Sequence, residues 1–285
     1  MFILQLALVK APGGIETAVA HYERMFRAVG VRSAVVLRSP SADAFRADGV
    51  DLIEPPPLIS KPWAAGLPFG TALRKDVLAR AGGEPLAVFV HSDLALARLR
   101  RLFPGSVIIA PCHSDKTKHK RQADLVITLN PEQQQLAQSA LPASRVKEFG
   151  NPFVPPANRR GPTENPHPRG AARLNFIGRF EGFKDPLTLI KAFSQADLAP
   201  GVELRLIGAG RLDEEVRQAA TASTRPIALA GWLKQPFSQF DQDDVLVLPS
   251  TWESYSYVIR EALDFGVPVI ASDIHVHRTA LGAGA

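Results

Sequence analysis

Cysteine is nearly absent from this chain: among 285 residues there is one, Cys112. A single thiol excludes an intrachain disulfide framework and permits a reducing, cytoplasmic compartment. Long apolar runs are missing too. The opening "MFILQLALV" falls well short of the ~18 apolar residues that cross a bilayer. It also lacks the basic start and small-residue cleavage site of a signal peptide, and it reads as a buried strand. Acid is scarce in the first half. Residues 1–160 hold 21 Lys and Arg against 13 Asp and Glu, a net +8, while residues 161–285 hold 12 against 15, a net −3. A basic first half points to an anionic partner on that side. What is plentiful is apolar residue, 46% against 21% charged, which describes a globular protein and excludes a disordered one.

Short apolar runs alternate with longer amphipathic stretches. "FILQLALV", "SAVVL", "LAVFV", "SVIIA" and "DLVITLN" occupy the first half, and "RLNFIG", "VELRLIG", "PIALAG", "DVLVLPS" and "VPVIAS" the second. Uninterrupted runs of this length suit strands buried on both faces of a parallel sheet. The intervening stretches read as helices, so the expected architecture is α/β, two doubly wound Rossmann-like domains. "NPFVPPANRRGPTENPHPRGAA" (151–172) carries six prolines and no periodicity, which marks a linker or crossing loop. The domains are therefore expected at 1–155 and 173–285, joined by a Pro-rich linker at 156–172. A second proline cluster, "EPPPLISKPW", reads as a surface loop of the first domain.

The chemistry-bearing residues collect where strands end. "PSTWESYSYVIREALDF" places Glu253 just after a strand and Glu261 inside the next helix. Ser254 or Ser256 can cap that helix, and Val258, Ala262 and Phe265 share its apolar face. The carboxyl ends of strands form the ligand crevice of doubly wound folds, and the free amides around Ser254, Tyr255 and Ser256 can hold a phosphate. Glu261 is placed to accept from a ribose diol. The spacing suits a sugar–diphosphate–nucleoside along one helix, with Glu253 at the sugar end, although a surface helix with two unrelated glutamates has the same letters. "GRFEGFKDP" sets Arg179 and Lys184 in a second strand-end loop, followed by Asp185 as N-cap and Pro186 at the first helical position. Two cations there can neutralise a diphosphate. Gly13 and Gly14 lie between the first strand and its helix, where glycine lets a backbone approach a ligand. Gly208 opens a third such loop, "IGAG", which is no dinucleotide fingerprint. No Asp-x-Asp pair reads as a metal motif.

Taken in order, "PGGIE", "VFVHSD", "PCHSDK", "ADLVITLN", "FGNP", "GRFEGFK", "IGAG" and the Glu253–Glu261 segment resemble glycosyltransferase family 4, whose fold is GT-B. The resemblance covers nearly the whole chain. It implies two domains facing across a cleft and a retaining transferase that moves a sugar from a nucleotide-sugar donor to a glycan or glycolipid acceptor. Cell-envelope polysaccharide or lipopolysaccharide synthesis is the implied setting, with no metal, no other cofactor and no nucleic-acid partner. It assigns Arg179 and Lys184 to the donor diphosphate, Glu261 to the ribose, Glu253 to the donor sugar, and Gly13 and Gly14 to a closing loop. His113 is assigned a place near the reacting sugar, with His91 ranked second. Family members often have glycines after the first glutamate, where this chain has Ser254 and Ser256. They also run further at the C-terminus, so the second domain is read as incomplete or minimal. The alternative is a non-catalytic sugar-nucleotide-binding protein or partner subunit. "HSDKTKHKRQAD" adds Lys116, Lys118, Lys120 and Arg121 directly after His113. In the implied acceptor domain these four are expected to face an anionic membrane surface at the inner face, where each cation contributes about 1 kcal/mol.

Overall fold

A computed structural model describes residues 1–9, 13–56, 59, 70–155 and 173–282. The linker 156–172 and most of the second proline cluster lie outside the described residues. The chain divides into two compact units, Met1–Val154 and Pro155–Ala285.

The first unit runs β1 (Phe2–Leu8), α1 (Gly14–Ala28), β2 (Ser33–Arg38), α2 (Ala42–Ala47), β3 (Leu52–Ile53), α3 (Thr71–Ala81), β4 (Leu86–Val90), α4 (Leu96–Leu102), β5 (Val107–Pro111), β6 (Leu125–Thr128), α5 (Pro131–Ala140) and β7 (Val146–Glu148). Its seven strands are all parallel, in the order β3-β2-β1-β4-β5-β6-β7. Side chains alternate across the sheet. Phe2, Leu4 and Leu6 join Val77, Leu99 and Phe103 on one face. Ala7 joins Val19, Val35 and Phe45 on the other.

The second unit runs β8 (Arg173–Ile177), α6 (Pro186–Gln195), β9 (Glu203–Ile207), α7 (Asp213–Ala222), β10 (Ile227–Gly231), β11 (Asp244–Leu248), α8 (Tyr257–Asp264), β12 (Val269–Ala271) and α9 (His275–Leu281). Five parallel strands follow the order β10-β9-β8-β11-β12. Phe176, Leu204 and Leu206 pack with Phe193 and Val216 on one side. Leu246 and Leu248 pack with Ile259 and Ala262 on the other. Asp185 caps α6 by accepting from the Thr188 amide, with Pro186 in the first turn. Val258 and Phe265 are partly buried beside Ala262, as their spacing requires.

The edge strands differ from the expectation of two buried faces. Leu229 of β10 is 40% exposed and Ile270 of β12 is 57% exposed, because a strand with one neighbour is covered less completely. Both sheets reverse their winding in the middle, between β1 and β4 and between β8 and β11. Such switch points leave a crevice at the carboxyl ends of the strands. Among the described residues no helix is long and apolar enough to cross a membrane.

Candidate functional site

In the second unit the loops after β8 and β11 meet at the switch point. Lys184 and Glu253 form an ion pair there, with side chains 13% and 8% exposed. Ser250, fully buried at the end of β11, donates to the same carboxylate oxygen, Oε1, at 3.1 Å. Oε2 accepts no hydrogen bond among the described residues, so Glu253 keeps one oxygen for a ligand hydroxyl. Lys184 likewise has three donors, of which one goes to Glu253.

Arg179 contrasts with Lys184. It is exposed, and its guanidinium lies 5.6 Å from the centre of the Phe183 ring. Phe183 meets Trp252 edge to face at 6.0 Å, and its carbonyl accepts from the Thr251 amide at 2.8 Å. The two loops are thus tied together by aromatic and backbone contact as well as by charge. Arg179 stands out from that clamp as a fork for an anion. Lys184, expected as a second free cation, is already neutralised by Glu253.

The other loops of this unit serve the same corner. A side chain at Gly208, whose φ is 150°, would place its Cβ 1.8 Å from the Gly178 carbonyl oxygen. At Gly210 it would lie 2.4 Å from the Phe180 oxygen. The loop after β9 is therefore pressed onto the Arg179 loop, and packing inside the protein accounts for both glycines. Ser256 occupies the N-cap of α8 at φ 54° and makes no capping hydrogen bond; its hydroxyl is buried without a partner. This corrects the expectation that Ser256 caps the helix. Asp185, at nearly the same φ of 52°, does accept from the Thr188 amide, at 3.3 Å. These two are the non-glycine residues with positive φ among those described, and each begins a helix beside the ion pair. Such strain concentrates at functional loops.

Tyr255 is buried, with the Arg260 guanidinium 4.3 Å from its ring centre and Tyr257 edge-on at 4.9 Å. Burial raises its pKa, and Arg260 opposes the rise. Ser254 is half-buried in the loop, and Glu261 is half-buried in the second turn of α8. Behind Glu253, His277 is buried with Nδ1 3.0 Å from the Ser272 carbonyl, and burial lowers its pKa.

The spacing Asp241–Asp243 does fit Asp-x-Asp, but it sits at the start of β11, the opposite end of that strand from Glu253. Asp241 and Asp244 there are held by Arg173 at 3.4 and 2.6 Å.

In the first unit the matching corner lies beyond β1, β4 and β5. Gly13 and Gly14 begin α1, and a Cβ at Gly14 would meet nothing within 4 Å. Among the described residues, packing does not demand glycine at that position. His113 follows β5 and is partly buried; its Nε2 lies 2.9 Å from Nδ1 of His91, which is buried. Burial, and next the Lys120 charge, push the His113 pKa down to about 3. His91 is held well below its ordinary value by burial, then by His113 and Lys120.

Lys116 and Arg121 are exposed, and the Lys118 side chain lies outside the described residues. Lys120 overturns its expected place on a membrane-facing surface. It is 1% exposed, paired with Asp93 at 2.6 Å and donating to the Pro111 carbonyl at 3.1 Å. A short 3-10 turn over residues 118–122 rotates it inward between its exposed neighbours.

Sequence reading missed Ser250, His277, Gln5 and Glu23. Gln5 did leave a signal, as the one polar residue inside "FILQLAL".

Residues 171–284 match the family model for group 1 glycosyl transferases. An uncharacterized 41.2 kDa protein in the cps region of Klebsiella pneumoniae is 30% identical over 115 residues, which are 39% of this chain and 30% of that protein. The Escherichia coli UDP-Gal:α-D-GlcNAc-diphosphoundecaprenol α-1,3-galactosyltransferase is 28% identical over 113 residues, 38% of this chain and 29% of that enzyme. The matched stretch thus spans about 30% of the length of each curated relative. Among solved structures, Anabaena HepE with UDP and glucose superposes with a TM-score of 0.75 at 18% identity, covering 100% of this chain and 84% of HepE. The lipopolysaccharide outer core galactosyltransferase WaaB superposes with a TM-score of 0.63 at 18% identity, covering 96% of this chain and 81% of WaaB. The fold, two parallel α/β units, is the GT-B fold of these glycosyltransferases.

Proposed function

We propose that this chain is a retaining glycosyltransferase that moves a hexose from a UDP-sugar to a glycan or glycolipid acceptor of envelope polysaccharide. The observation that carries this reading is the Lys184–Glu253 pair, half satisfied on each side, beside the exposed Arg179 at a switch point. It falls inside the stretch that matches the transferase family model. The sugars and nucleotide are argued from relatives whose names carry UDP-galactose or UDP and glucose.

In this reading Arg179 grips the donor diphosphate bidentately and Lys184 gives its remaining donors to the same phosphates. Charge develops on those oxygens as the sugar–phosphate bond breaks, and preorganised cations stabilise it most there. Oε2 of Glu253 accepts from a sugar hydroxyl, while Glu261 takes the ribose. The amides of Ser254, Tyr255 and Ser256 at the start of α8 add phosphate donors. The acceptor hydroxyl attacks the anomeric carbon on the face the diphosphate leaves, and its proton passes to the departing phosphate oxygen. His113 keeps the role that the family resemblance implies for it, toward a hydroxyl of the reacting sugar. Neutralisation rests on side chains and amides, so turnover proceeds without a divalent metal.

Calorimetric titration with UDP, in EDTA, tests the donor site. Wild type binds, and Arg179→Ala binds at least tenfold more weakly. Equal affinity of the two proteins removes the diphosphate assignment. Peripheral attachment to an anionic inner membrane belongs to the same proposal, resting on Lys116, Lys118 and Arg121 without Lys120. Cosedimentation with phosphatidylglycerol vesicles that is unchanged by Lys116→Gln and Arg121→Gln together would leave a soluble acceptor as the better reading.

A further inference from the structure

Beneath His113 runs a chain of four polar side chains through the first unit. Glu23, on α1, is 5% exposed and accepts from Ser33 Oγ at 2.9 Å and from Gln5 Nε2 at 2.6 Å. Gln5 is fully buried in the central strand β1. Its other amide atom, Oε1, lies 2.8 Å from His91 Nε2. His91 Nδ1 then meets His113 Nε2 at 2.9 Å, with the two rings within 21° of parallel.

The direction of each bond follows from the first. With Glu23 ionised, its carboxylate only accepts, so the Gln5 NH2 faces Glu23 at 2.6 Å and the Gln5 carbonyl faces His91 at 2.8 Å. A carbonyl only accepts, so His91 carries its proton on Nε2 and offers a lone pair at Nδ1. His113 must then carry its proton on Nε2 to complete the contact. Its Nδ1 makes no hydrogen bond among the described residues and is absent from their buried, unpartnered atoms, so it stays accessible.

We propose that Glu23, Gln5 and His91 are positioning residues that lock His113 in its Nε2–H tautomer. His113 thereby presents only an acceptor, Nδ1, and selects a hydroxyl over a phosphate or carboxylate at the end of β5. A neutral imidazole with an outward lone pair cannot donate to an anion. It holds a sugar hydroxyl by accepting that proton, which orients the oxygen. Protonating Glu23 would let the chain reverse at every link and turn Nδ1 into a donor. Burial raises the Glu23 pKa, and the hydrogen bonds it accepts from Gln5 and Ser33 oppose the rise by holding the carboxylate form. The tautomer itself is independent of the transferase reading; only the identity of the hydroxyl as a sugar's rests on it.

Nitrogen NMR of the full chain with labelled imidazoles, at pH 7.5 and without donor, tests the lock. His113→Gln assigns the signals. Wild type is expected to show Nε2 protonated and Nδ1 bare in one tautomer. Gln5→Met, which keeps the volume and removes the amide, is expected to show both tautomers. A wild-type His113 protonated on Nδ1, or averaging between forms, overturns the proposal, as does a Gln5→Met protein with the wild-type pattern. The wild-type spectrum decides even where Gln5→Met does not fold, and Glu23→Gln, expected to populate both tautomers, is then the second variant. With a UDP-hexose that wild type turns over, Gln5→Met is expected to lose at least tenfold in kcat with KM within twofold. Absence of turnover in wild type counts against the transferase reading and leaves the tautomer result standing.

Discussion

A charged side chain acts according to what surrounds it, and two lysines in this chain show how far that goes. Lys120 looks like one cation of a surface cluster, yet it is buried against Asp93 and a carbonyl. Removing one member of a buried pair leaves an uncompensated charge, which costs about 3–5 kcal/mol. Lys120→Met is therefore expected to lower the unfolding midpoint by roughly 10 °C, whereas Lys116→Met leaves it unchanged; calorimetry decides between this and an equal, small effect of both. Lys184 and Glu253 obey the same rule at the site. Glu253→Ala strands a buried ammonium and destabilises by about 3 kcal/mol, and adding Lys184→Met recovers most of that loss. A double-mutant cycle by denaturant unfolding measures the coupling. Additive losses would mean the pair is not formed in solution.

At the scale of elements, glycine has opposite meanings in two loops. Gly208 and Gly210 are required by backbone packed against them, while no described atom would meet a Cβ at Gly14 within 4 Å. Gly208→Ala is expected to unfold or strongly destabilise the second unit, since the neighbouring atom is a backbone carbonyl. Gly14→Ala is expected to fold as well as wild type and to bind UDP-hexose more weakly. Equal stability of the two variants in chemical denaturation contradicts the first claim, and unchanged donor affinity in Gly14→Ala contradicts the second.

The same elements show what the sequence made legible. Ten strands stood out as continuous apolar runs, eight of them central in their sheets and two, β10 and β12, at an edge. β3 and β7 did not, since the one is two residues long and the other, Val146–Glu148, buries only Val146. Asp185 as an N-cap was readable from the following proline. The silence of Ser256 as a cap was not, since Asp185 caps its helix from nearly the same left-handed backbone. The Glu23–Gln5–His91–His113 chain was out of reach for another reason. Its bonds join residues 18, 86 and 22 positions apart, and only the sheet order brings them together.

Across the whole molecule, buried neutral histidines couple stability to pH. Burial pushes His21 down to about 4 and His113 to about 3, and holds His91 well below its usual value. The unfolded chain takes up these protons near pH 6.5, where the folded chain refuses them. Their stabilisation is complete above about pH 6.5 and is lost as pH falls toward 4, with each site contributing at most about 1.4 kcal/mol per pH unit. Glu16 and Glu23, raised by burial, act in the opposite sense and reduce the slope. His277, lowered by burial as well, acts in the same sense as the other histidines. The unfolding midpoint is expected to fall steadily from pH 7 to pH 5; a flat or rising profile refutes the assignment of neutral buried histidines.

The central claim concerns the corner where β8 and β11 part: that it holds a nucleotide-sugar diphosphate and that Glu253 orients the sugar for transfer. Turnover of a UDP-hexose panel in EDTA, followed as UDP release with the anomeric configuration of the product read by proton NMR, tests it most directly. Wild type is expected to release UDP and form a product of the donor's own configuration. Glu253→Ala should lose on the order of 3 kcal/mol of transition-state stabilisation, about a hundredfold in rate. Wild-type turnover that survives Glu253→Ala intact, or a product of inverted configuration, would contradict the account.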